Sequence, residues 1–126
     1  MQKIISTCLA VFCISLFACQ EPLDQKLLHG TWKADQFLES GKPKNLDISN
    51  MAFTFNAQNI YTYQSNLKHR EAGNYRIDGD ILYSTDTLID TKIEKAVRII
   101  QLTKDSLQLS MNNGGVKQQI HLHKAN

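Results

Sequence analysis

The chain has 126 residues, 42% of them hydrophobic and 21% charged, which is enough for one domain and too little for two with separate cores. Its formal net charge of +2 excludes a strongly basic nucleic-acid binder. No motif in it names a reaction, so function has to be approached through the order of its elements.

Met1-Gln2-Lys3 leads into an almost uninterrupted apolar run from Ile4 to Phe17, followed by Ala18-Cys19. At about 1.5 Å per helical residue, these 14 residues are too few to cross a hydrocarbon layer of roughly 30 Å. Residues 1–18 therefore read as a secretory signal peptide, with its charged start and apolar centre. Leu16-Phe17-Ala18-Cys19 resembles the lipobox of bacterial lipoproteins. That resemblance implies cleavage before Cys19 and acylation of its thiol, giving an outer-membrane lipoprotein of the cell envelope whose partner is the membrane. An ordinary signal-peptidase site nearby is the other reading. Acyl chains contribute about 0.8 kcal/mol per buried methylene, enough to moor a protein without a spanning helix. Cys8 and Cys13 lie within the removed segment, so the mature chain keeps no thiol for a disulfide, a nucleophile or a cysteine metal site.

Residues 19–26 form a short polar tether containing Pro22, and residues 27–126 form the domain. Gln25 to His29 suit one helical turn, stopped by Gly30. Stretches rich in aromatic and β-branched residues follow: Thr31 to Leu38, Met51 to Asn56, Ile60 to Ser65, Gly73 to Ile77 and Ile81 to Tyr83. Lys92 to Leu102, Ser106 to Met111 and Val116 to His123 complete the series. Asp78-Gly79 predicts a type I′ hairpin turn, Lys104-Asp105 and Asn112 to Gly115 predict two further turns, and Glu39 to Asn50 and Thr85 to Thr91 are the long loops.

Period-two spacing places Met51, Phe53 and Phe55 on one face, Ile93, Val97 and Ile99 on another, and Leu107, Leu109 and Met111 on a third. With no helix to cover these apolar faces, the sheet must close on itself or fold over. The expected fold is all-β, a small antiparallel up-and-down β-barrel of about eight strands, with a two-sheet sandwich as the alternative. A barrel of that size holds either a side-chain core or one small ligand.

Leu28-His29-Gly30-Thr31-Trp32-Lys33 carries a Gly-x-Trp at the start of the first strand. Together with Phe53-Thr54-Phe55, Tyr61-Thr62-Tyr63, Gly73-Asn74-Tyr75 and the Asp78 to Leu82 turn, it resembles the lipocalin-like domains of lipoproteins from the Bacteroides group, over residues 27 to 123. The resemblance implies that Trp32 plugs one end of the barrel. It also implies that a small hydrophobic ligand enters at the other end, held by Phe53, Phe55, Tyr61, Tyr63 and Tyr75, with no cofactor. These aromatics serve equally as a filled core, and so short a chain has little apolar material to spare for walls around a cavity. In that case the loops or outer face recognise another envelope protein, as an inhibitor or accessory lipoprotein does.

Residues that carry chemistry are sparse. His121 and His123 share a face at the end of the last strand, opposite Ile120 and Leu122, and read as a solvated pair and not a metal site. His29 and His69 have no partner at recognisable spacing. Asp78 and Asp80 flank a turn glycine, and Asp86 and Asp90 sit in a polar loop. Lys42, Lys44 and the run Lys68-His69-Arg70 read as loop charges. Neither a nucleophile elbow nor a phosphate-binding loop is present, so the chain reads as a binding protein and not an enzyme.

Overall fold

The computed structural model describes residues 23–65 and 69–125. The signal peptide, the first half of the tether (19–22, with Cys19) and Lys68 lie outside the described residues.

Asp24 caps a single helical turn, α1 (Gln25–Leu28), by accepting a hydrogen bond from the Lys26 amide at 3.0 Å. Nine strands follow: β1 (Gly30–Glu39), β2 (Lys42–Pro43), β3 (Ala52–Phe55), β4 (Ile60–Gln64), β5 (Arg70–Asp78), β6 (Ile81–Asp86), β7 (Glu94–Leu102), β8 (Ser106–Asn113) and β9 (Val116–Lys124). Every pairing is antiparallel. Sequential neighbours pair from β3 to β9, and β1 pairs with both β3 and β9, closing an eight-stranded barrel. The two-residue β2 merely extends the far end of β1. Closure, and not a sandwich, is what hides the apolar faces: no sheet edge remains in the barrel wall.

Two bulges set which side chains point inward. On β1 the register with β9 shifts between Ala34 and Gln36, so the inward series runs Trp32, Ala34 and then Phe37. On β7 it shifts between Ile99 and Gln101, so Val97, Ile99 and Leu102 pack inward and Ile100 is expelled to solvent. Simple alternation predicts neither. The β5–β6 hairpin also differs from expectation. Asp78 pairs with Ile81, and only Gly79 has positive φ (+61°), so the centre of the turn is Gly79-Asp80, as in a type II′ turn and not I′. Strand β7 starts at Glu94, which leaves Ile93 in the preceding loop and 57% exposed.

The closed end is built around Trp32. The indole is fully buried, and its Nε1–H donates to the Leu28 carbonyl at 2.8 Å, pinning α1 across the barrel floor. From β9 the Lys124 ammonium sits 4.7 Å from the Trp32 ring centre and donates to the carbonyls of Leu27, at 3.4 Å, and His29. Leu28, Leu107 and Leu122 complete this end of the core. Trp32, expected from the resemblance to plug one end, is buried at this end of the barrel.

Candidate functional site

Above that floor the barrel is not filled. A cavity of about 250 Å³ occupies its upper half. Phe53, Phe55, Tyr61 and Tyr63, all expected to face inward, line it together with Phe37 and Met51. Phe53 stacks on Tyr63 with centroids 4.6 Å apart and lies parallel to Phe55 at 6.1 Å, so the β3–β4 wall is a continuous aromatic surface. Tyr75 is the exception among the five. It packs edge-on against Phe55 at 5.1 Å and donates its hydroxyl to the Asn56 carbonyl at 2.7 Å, so it belongs to the floor and not to the cavity wall. Burial pushes its phenol up from the ordinary value.

The opposite wall is polar. Glu71 on β5, Ser84 on β6 and Lys95 on β7 come from three neighbouring strands and all line the cavity. Glu71 Oε1 accepts from Lys95 Nζ at 2.6 Å and lies 3.2 Å from His69 Nε2, while Oε2 accepts from the Tyr61 hydroxyl at 3.3 Å. Burial by itself would raise the Glu71 carboxyl, but hydrogen bonds from Lys95 and His69 and the charge of Lys95 hold it below its ordinary value. Tyr61 is pushed up to about 12, by burial first and then by the Glu71 charge, and Tyr63 is raised for the same two reasons. Asp86 is 7% exposed at the end of β6, opposite Gly73 of β5, where it accepts from the Leu88 amide at 2.9 Å. It is therefore a buried strand residue and not a residue of a polar loop.

Sequence reasoning missed Glu71, Ser84 and Lys95, although their parity was readable. Lys95 lies two residues before Val97, Ser84 two after Leu82, and Glu71 four before Tyr75, each on an inward-facing series. His69 also has a partner after all, Glu71, two residues along.

The outer histidines stay apart from this site. His121 lies on the outer face, and His123 engages the Asp35 carboxylate at the β1 bulge. Among the described residues no three metal-ligating groups come together, and no helix is long and apolar enough to cross a membrane. Lys44 pairs with Glu39 at 2.8 Å. Around the mouth, Leu88, Ile89 and Ile93 of the β6–β7 loop are exposed, Leu88 by 62%.

The model of the lipocalin-like domain family matches residues 28–109, from the Gly-x-Trp segment to the cavity-lining Leu109. The chain belongs to this lipocalin-like family. Solved structures give the same fold. A lipocalin-like protein from Bacteroides uniformis superposes with a TM-score of 0.59 at 18% identity, covering 79% of this chain and 99% of that one. An uncharacterized protein from Bacteroides eggerthii gives 0.60 at 14% identity, covering 78% and 99%. No curated protein sequence matches the chain. This lipocalin-like chain shares the closed barrel with these structures.

Proposed function

We propose that this protein is a lipid-anchored lipoprotein of the bacterial envelope whose barrel binds a small hydrophobic ligand without catalysis. The observation that carries the binding reading is the cavity of about 250 Å³, walled on one side by stacked aromatics and touched by few polar groups. Ligand sites in barrels have this character, a mostly apolar pocket with a small number of placed polar side chains.

Native mass spectrometry of the protein purified from its own host tests the binding reading. A co-purifying small molecule that is lost on filling the cavity supports it, and an empty barrel that takes up no apolar probe overturns it. Intact mass tests the anchor: a mature chain starting at Cys19 and carrying acyl chains is expected, and an unmodified Cys19 removes that part.

The second reading, recognition of an envelope protein, is favoured by the exposed Leu88, Ile89 and Ile93 at the mouth. Replacing Leu88 and Ile89 by Ser separates the two, because it disrupts protein recognition and leaves the cavity wall intact.

A further inference from the structure

We propose that the cavity selects small hydrophobic amines, ligands of about eight to ten non-hydrogen atoms with an aromatic or alkyl body and one protonated nitrogen. The proposal rests on the reading that the cavity holds a ligand, and it adds the chemical class. Size follows from volume: about 250 Å³ equals roughly eight water volumes of about 30 Å³ each. The aromatic β3–β4 wall suits a flat apolar body.

The head group follows from what the polar wall offers. A carboxylate has about four acceptor positions. Glu71 uses Oε1 for both Lys95 and His69, while among the described residues Oε2 receives the Tyr61 hydroxyl alone, at 3.3 Å, which leaves acceptor capacity. Ser84 and Tyr61 line the same space and are hydrogen-bonded to each other, Ser84 donating to the Tyr61 oxygen, which leaves the Ser84 oxygen as an acceptor. An ammonium, with three donors, matches this set. A ligand carboxylate meets the reverse: the donor with a full charge is Lys95, already bound to Glu71 at 2.6 Å.

Charge points the same way. Glu71 is a buried carboxylate on this wall, Asp86 is a second buried carboxylate outside the cavity lining at the end of β6, and each bears electrostatically on Tyr61. Lys95 offsets Glu71, and the Asp86 carboxylate behind the wall adds a further negative charge that bears on both Tyr61 and Glu71. An incoming anion is repelled there and a cation attracted.

The test is a head-group series on one body, 2-phenylethylamine, 2-phenylethanol and phenylacetate, titrated into the purified protein by calorimetry at pH 8, above the ordinary imidazole range. The amine is expected to bind about tenfold more tightly than the alcohol, with the acid weakest. Glu71→Gln should bring the amine down to the affinity of the alcohol. Alcohol binding without preference for the amine, or acid binding as tight as amine, overturns the proposal and leaves the cavity reading standing. Binding by none of the three overturns both. If Glu71→Gln does not fold, the wild-type series still decides.

Discussion

Trp32 and Leu28, four residues apart, are joined side chain to backbone: the indole N–H donates to the Leu28 carbonyl at 2.8 Å inside the closed end. This bond ties the single helical turn to the barrel and satisfies the one polar atom of a fully buried indole. The α1 turn has four residues, too few to be stable by itself, so its place depends on that contact.

Trp32→Ala should therefore destabilise the protein by about 3 to 5 kcal/mol, combining a large cavity with an unpaired carbonyl. Trp32→Phe should recover part of the packing but not the hydrogen bond. Denaturant melts of the three proteins check this, and a Trp32→Ala midpoint equal to wild type would show that the floor does not need the plug.

Gly73 faces inward on β5 between Tyr61 of β4 and Asp86 of β6, and a Cβ there would collide with the Thr85 carbonyl oxygen. Backbone cannot yield as a flexible side chain does, so Gly73→Ala should cost about 3 kcal/mol or more. Gly79→Ala, in an open turn at φ +61°, should cost only about 1 kcal/mol. The ranking, read from thermal melts, separates close approach from simple turn strain.

The Glu71 carboxyl is held below its ordinary value of 4.5, so its bonds stabilise the fold above that pH, and the contribution is lost as pH falls through the lower folded value. Tyr61 works in the opposite direction. With its phenol raised from 10.0 to about 12, the unfolded chain ionises first, and stability should fall as pH rises between those values. Stability measured against pH should accordingly decline at both extremes. Glu71→Gln should flatten the acid limb and Tyr61→Phe the alkaline limb, and unchanged limbs in these variants would contradict the assignments.

Val97 lines the cavity from β7 beside Lys95. Val97→Phe adds a ring to empty space, so it should weaken 2-phenylethanol binding by more than tenfold while leaving the melting temperature within a few degrees of wild type. Calorimetry with the variant checks the first and a thermal melt the second. Undiminished binding would place the ligand elsewhere.

Much of the cavity was legible from period two. Phe53, Phe55, Tyr61 and Tyr63 fall where alternation puts them, because a half-buried strand has to send every second side chain to the same side. Tyr75 obeys the same parity yet lies deeper, since depth along the barrel depends on strand stagger, which no single strand encodes. Lys95 and Glu71 also had the right parity. A charged residue on an inward series is acceptable only when a partner arrives from another strand, and Glu71 and Lys95 are 24 residues apart.

The sequence by itself determined the all-β class, the positions of most strands and turns and the inward aromatic series, because each is a local or period-two property of the chain. Tertiary structure alone decided the rest: the bulges at β1 and β7 that bring Phe37 and Leu102 inward, the centring of the β5–β6 turn on Gly79-Asp80, and the polar wall of Glu71, Ser84 and Lys95. These depend on register between strands and on closure of the sheet, which bring distant residues into contact only once β9 has paired with β1.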